Sequence, residues 1–163
     1  MFPETNRPVC WEAIITENET RLYRTALAIL GDVGEAEDAV QDAFLKLLEK
    51  RPSLESGSHR QAWLMRVLVN GCKTRLRAPW RRRSVPLTDA IPAPAQEERQ
   101  EVEELLSLPP KDRAVIHLFY YEGYATGEIA QFTGEAEGTV RSRLSRARKK
   151  LRVLLEENKS ENK

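Results

Sequence analysis

At 163 residues, 40% hydrophobic and 31% charged, the chain suits one ordinary domain or two very small ones. Its formal net charge of +1 gives no bulk signal for a polyanionic partner. Two cysteines, Cys10 and Cys72, fit neither a disulfide framework nor a metal site, and no apolar run approaches the roughly 18 residues of a membrane span. With no signal-peptide pattern at the N-terminus, a soluble, cytoplasmic protein without direct membrane insertion is expected.

Charge is instead arranged in blocks. Residues 32–55 hold seven acids and three bases, and 59–88 hold eight Lys or Arg and no acid. Residues 97–104 hold five acids and one base, and 138–152 hold seven bases and no acid. Blocks of alternating sign indicate separate surfaces for separate partners, or else solvated helix faces.

Strand alternation is nearly absent and helical periodicity is strong, which predicts an all-α protein. A first helix carries Leu22, Ala26, Ile29 and Leu30 and ends near Gly31-Asp32. A second, over 35–50, has an apolar stripe of Ala36, Ala39, Val40, Ala43, Phe44, Leu47 and Leu48, with Glu37, Asp38, Gln41, Asp42 and Lys46 off it. After the Pro, Gly and Ser of "RPSLESGSH", a third helix over about 60–77 shows Leu64, Val67, Leu68 and Leu76 on one side. Pro79, Pro86, Pro92 and Pro94 then interrupt any helix, so 79–99 reads as a flexible linker. A second helical unit follows over 100–157: a short helix into Leu108, a break at Pro109-Pro110, a helix over 112–122, and two more. Two small helical domains, 11–78 and 100–157, are therefore expected on a tether, each marginal in core size.

The stretch "ATGEIAQFTGEAEGTVRSRLSRARKKLRVLL" has the layout of a helix-turn-helix. Ala130 allows close helix approach, and Gly134 stands where the turn favours a residue without Cβ. Val140, Leu144, Ala147, Leu151 and Leu154 or Leu155 form the buried stripe of the last helix. Arg141, Ser142, Ser145, Arg148, Lys149 and Arg152 lie opposite, with Arg146 at the edge. Arg141 and Ser142 occupy the portion of a recognition helix that reaches base edges, whereas Arg148, Lys149, Lys150 and Arg152 suit phosphates. Ala125 and Ala136 precede the two helices in place of the usual capping residues, so Thr126 and Glu135 are candidate substitutes if each helix start shifts by one residue.

Three blocks resemble a known family. "LAILGDVGEAEDAVQDAFLKLLEK" (27–50) resembles region 2 of bacterial RNA polymerase sigma factors of the extracytoplasmic-function class, and "AWLMRVLVNGCKTRLR" (62–77) resembles the promoter-reading helix of that region. "LLSLPPKDRAVIHLFYYEGYATGEIAQFTGEAEGTVRSRLSRARKKLR" (105–152) resembles region 4. The resemblance runs from about 20 to 152 in the family's order.

The resemblance implies a non-catalytic transcription initiation factor. The acidic second helix would dock on the β′ clamp of core polymerase through Asp38, Gln41, Asp42 and Leu45. The acid-free stretch would hold the melted −10 strand through Arg60, Trp63, Arg66, Asn70, Lys73 and Arg77, since a single strand needs cations and stacking surfaces. Arg75 is a further candidate cation, and the 51–59 loop would receive a flipped base. Trp63 beside Leu64 equally suits a core position. Thr74 stands where the family usually has Asp, which puts the −10 base preference in question. Region 4 would bind −35 duplex through Arg141, Ser142, Ser145, Arg146, Arg148 and Lys149, and would touch the β flap. Arg81, Arg82 and Arg83 of the linker suit the family's path through polymerase channels, or solubility alone. An anti-sigma factor is an expected partner.

No phosphate-binding loop, metal-ligand cluster or activated nucleophile is present in the sequence, so no enzyme activity, metal, cofactor or small-molecule substrate is expected. A stand-alone helix-turn-helix regulator would leave the 59–88 basic stretch and the acidic helix unused. A helical adaptor would leave Arg141 and Ser142 without a purpose after the turn glycine.

Overall fold

A computed structural model describes residues 10–53, 56–79 and 104–161, and every described element is helical. The body of the expected linker, with Arg81, Arg82 and Arg83, lies outside the described residues.

Helix α1 (Trp11–Leu30) stops at Gly31, whose left-handed φ of 68° lets its N–H return to the Leu27 carbonyl at 2.8 Å. Asp32 then caps α2 (Val33–Lys50), its Oδ1 accepting the Glu35 N–H at 2.8 Å. Ser56 caps α3 (Gly57–Leu76) by accepting the His59 N–H at 3.2 Å, so α3 begins before the position that periodicity indicated. On α2 the expected stripe is buried from Ala36 to Leu47, but Leu48 is 37% exposed while Leu47 is 1% exposed. One residue is 100° of helix, which turns Leu48 out of the stripe. On α3, Leu64 and Leu68 are buried as expected, joined by Met65, Val69 and Cys72, whereas Val67 and Leu76 are only half-buried.

In the second half, residues 104–106 form a short helical turn. Helix α4 (Pro110–Ile116) starts with Pro110 at its first position, where the missing N–H costs nothing. The expected single helix over 112–122 does not run through. It widens at Ile116 into a π turn, His117–Tyr121, in which Glu122 N–H bonds the His117 carbonyl at 3.1 Å. The widening swings the Glu122 carboxylate inward, where one oxygen lies 3.1 Å from His117 Nε2. Helices α5 (Thr126–Thr133) and α6 (Glu137–Glu161) are joined through Gly134, at φ 72°, as the turn reading predicted. The two alanines do precede these helices, and neither start shifts. The reach of Glu128 back to the Ala125 N–H, at 3.1 Å, supplies half of a capping box at α5.

His117 is buried and its pKa is lowered, chiefly by burial, against the opposing pull of Glu122. A histidine depressed when folded binds fewer protons than in the unfolded chain, so stability is full above the unfolded value of about 6.5 and falls as pH drops below it. Thermal denaturation between pH 7.5 and 5.5 should show this slope, and His117→Gln should flatten it. An unchanged slope would place the titration elsewhere.

The two halves do not merely share a tether. Helix α5 packs on α3, α4 packs on α1, and the hydrophobic cluster is continuous across both. The seam is lined by Ile29, Val69 and Leu76 from one side and Pro110, Ala114 and Val115 from the other. Arg113, buried on α4, crosses this seam. Its Nε donates to the Ala28 carbonyl at 3.0 Å and its Nη2 to the Ile29 carbonyl at 2.5 Å, while Nη1 donates to Leu106 and Leu108. A helix leaves its last four carbonyls unpaired and carries partial negative charge there, so a guanidinium from the other half completes α1. Hydrogen bonds from a charged donor contribute about 1.5–3 kcal/mol.

Candidate nucleic-acid interface

The recognition helix α6 divides as its periodicity requires. Val140, Leu144 and Ala147 are buried, and Leu151 is half-buried against the core. Arg141, Ser142, Ser145, Arg146, Arg148, Lys149 and Arg152 are all exposed, so Arg146 belongs to the open face. Arg143, two residues from Arg141, points the other way. Its Nη1 donates to Asp112 Oδ1 at 3.2 Å, and its Nε and Nη2 donate to Glu135 at 3.2 and 3.1 Å. It ties α6 to the start of α4 and to the turn before α6, holding the recognition helix in place.

Arg141 is not idle in the free protein. Its Nη2 donates to Glu137 Oε1 at 2.8 Å, and the Thr126 hydroxyl donates to the same oxygen at 2.9 Å. These partners hold the Glu137 carboxyl below its usual range, the Thr126 hydrogen bond first and the Arg141 charge next. Glu137 thereby joins the starts of the two helices of the motif.

On α3, residues 63, 66, 70, 73 and 77 recur at intervals of three and four and share one side. Arg66, Asn70 and Arg77 are exposed there, and Arg60, in the first turn, is half-buried. Trp63 is half-buried and packs on the hydrophobic cluster, so part of its ring serves the core. Lys73 sits at the edge of the face beside the seam, with Nζ 3.9 Å from where a Cβ on Gly134 would stand. Burial lowers its pKa, Glu135 opposes that shift, and Lys111 and Arg77 reinforce it. The Thr74 hydroxyl turns back to the Asn70 carbonyl at 3.1 Å. Of the 51–59 loop, residues 57–59 belong to the first turn of α3, and 54 and 55 lie outside the described residues.

On α2, Asp38, Gln41, Asp42 and Leu45 fall at i, i+3, i+4 and i+7 and are all exposed, Leu45 at 56%. Asp42 is engaged, because Arg75 Nη2 on α3 donates to its Oδ2 at 2.7 Å. Arg75, read as a cation for a strand, thus spends one nitrogen on its neighbouring helix.

Sequence reasoning missed Arg113, Glu122 and Arg143 as organising groups. The usable signal was a lone charge inside an otherwise apolar stretch, as in "RAVIHLFYYE".

Comparison with known proteins agrees with this layout. A model of sigma-70 region 2 matches residues 14–82, and one of sigma-70 region 4 matches residues 99–151. The class these define is the two-domain, promoter-reading subunit of bacterial transcription. The ECF RNA polymerase sigma factor SigL of Mycobacterium tuberculosis (strain ATCC 25618 / H37Rv) is 36% identical over 157 residues, covering 89% of this chain and 88% of SigL. SigM of the same strain is 31% identical over 150 residues, covering 89% and 76%. Among solved structures, the sigma factor RpoE in complex with the anti-sigma factor NepR from Bartonella quintana superposes with a TM-score of 0.74 at 28% identity, over 90% of this chain and 96% of that one. The chain belongs to the ECF family of RNA polymerase sigma factors. It is a promoter-recognising transcription initiation factor, and the members of its family are not enzymes. No described helix is long and apolar enough to cross a membrane.

Proposed function

We propose that three exposed faces divide the work of initiation. The α2 face of Asp38, Gln41, Asp42 and Leu45 docks on the β′ clamp of core polymerase. The α3 face, with Arg60, Arg66, Asn70, Lys73, Arg77 and the free part of Trp63, holds the melted −10 strand. The α6 face reads −35 duplex, Arg141, Ser142 and Ser145 toward base edges and Arg146, Arg148 and Lys149 toward phosphates, and its domain touches the β flap. Residues 11–78 and 100–157 act as separate domains joined by 79–99. The observation that carries this reading is the complete exposure of the basic, serine-containing face on the second helix of a helix-turn-helix whose opposite face is core. The energy for strand opening comes from capturing unpaired bases and from polymerase contacts. An anti-sigma partner and a cytoplasmic location for this chain fit the likeness to a sigma factor solved with an anti-sigma factor.

Core polymerase supplemented with the protein should give specific transcripts from a library of bacterial promoters. Absence of initiation on every template would end this reading. Asp38→Lys is the cleaner test of docking, because Asp42→Lys would also set two cations against each other at Arg75. Asp38→Lys should weaken polymerase binding several-fold with an unchanged melting temperature, since an exposed charge contributes little to folding. Unaltered affinity would remove the α2 face from the docking surface.

A further inference from the structure

We propose that Glu137 is a positioning residue for base reading, which sets the guanidinium of Arg141 so that one fork of its N–H groups is left to meet a guanine in the −35 element. The inference rests on the assignment of Arg141 to a base edge given above. An arginine reads guanine by donating to O6 and N7 together. It can do so through its end fork, Nη1 with Nη2, or through its side fork, Nε with Nη2. An unheld side chain presents either fork to any acceptor in the groove or on the phosphate backbone. Nη2 belongs to both forks. Here it donates to Glu137 Oε1 at 2.8 Å, so one fork is engaged and the other stays whole.

The carboxylate is itself held. In water an ion pair this exposed, with the Arg141 and Glu137 side chains 67% and 45% accessible, adds little to folding. What distinguishes it is the second helix. The Thr126 hydroxyl, on the first turn of α5, donates to the same Oε1 at 2.9 Å. The backbone of α5 also runs alongside, since a Cβ on Gly127 would stand 3.9 Å from both carboxylate oxygens. Glu137 is thus fixed against α5, and Arg141 is aimed by a group that both helices of the motif hold. Arg146, Arg148, Lys149 and Arg152 on the same open face meet no carboxylate among the described residues. The division follows the chemistry. A cation that tracks phosphates gains nothing from being aimed, whereas one that must match two acceptors does. An arginine already aimed loses less freedom on binding, and duplex that expels water strengthens the pair that aims it. The acid also turns a negative charge toward DNA, so Glu137 raises preference while it lowers general affinity.

Transcription by core polymerase with the full-length protein, on a library that varies every −35 base pair, reads both quantities. Glu137→Ala should cut the preference for guanine at the pair that Arg141 reads by about three- to tenfold, and leave the other −35 pairs as they were. Thr126→Val, which keeps every charge, should cut the same preference by about two- to threefold, and Thr126→Ser should restore it. On an Arg141→Ala background, Glu137→Ala should alter no preference, because it acts through Arg141. If Glu137→Ala unsettles the start of α6, as its melting temperature would tell, the two Thr126 variants decide alone. Unchanged preference in both Glu137→Ala and Thr126→Val would overturn the proposal. So would a uniform gain of activity with preference intact, the mark of an acid that only repels DNA. A loss that persists on the Arg141→Ala background overturns it as well, since Glu137 would then touch a base itself. If Arg141→Ala alone changes no base preference, the assignment of Arg141 to a base edge falls and the proposal with it. An Arg141 that matters beside an inert Glu137 and Thr126 sinks the proposal only.

Discussion

Arg141→Ala should lose about 1–3 kcal/mol of discrimination at one base pair of the −35 element, roughly 5- to 150-fold, while the melting temperature stays where it was. The reasons are geometric. Arg141 stands on the open face at the start of α6 and pairs with the exposed Glu137, an i,i+4 pair that solvent screens. A uniform loss across all −35 variants would instead make Arg141 a phosphate contact. Arg143→Ala, two residues away, should do the opposite. It strips charged donors from Asp112 and Glu135, whose side chains are 9% and 19% exposed. The expected cost is about 1–3 kcal/mol, several degrees or more of melting temperature in a domain this small, with −35 preference retained. Lys150 at 3.9 Å from Asp112 and Lys111 at 4.0 Å from Glu135 remain to soften the loss. If Arg143→Ala changed base preference at unchanged stability, the assignment of these two arginines would have to be exchanged.

The second large effect separates Leu47 from Leu48. Leu47→Ala should cost about 2–5 kcal/mol, because it opens a cavity between α2 and its neighbours that packed helices fill only in part. Leu48→Ala should stay within about 0.5 kcal/mol, as expected of a surface site. Urea denaturation of the two variants measures both numbers. Equal losses would mean that Leu48 is covered in solution, by a partner copy or by the second half.

That pair also shows where sequence pattern stops. A stripe drawn at three- and four-residue intervals places Leu47 and Leu48 together, since both are apolar and both stand near the seam of the stripe. Only the helix's actual orientation against α1 and α3 decides which one is covered. The same holds for Arg141 and Arg143. Composition makes them equivalent, and the turn at Gly134 sets their helix so that one faces solvent and the other faces Asp112 and Glu135. Val67 and Leu76 on α3 read as core from periodicity, yet they are half-buried, while Met65, Val69 and Cys72 are buried because α3 is covered from two sides.

Element type and the motif are written in the chain itself. The 3.6-residue recurrence of apolar residues, the glycines at 31 and 134, the caps at Asp32 and Ser56 and the paired prolines at 109 and 110 are local signals acting over a few residues. They determine helices, ends and the helix-turn-helix without reference to anything distant. The contacts between halves are different in kind. Arg113 bonds carbonyls 84 and 85 positions away, and Glu122 meets arginines about 100 positions away. No periodicity encodes such a pairing, because it depends on where two separately formed units come to rest. The sequence by itself therefore determined an all-α, two-unit sigma factor with a basic reading helix. Tertiary structure alone decided that the units close on one another, and which arginines face solvent and which serve the fold.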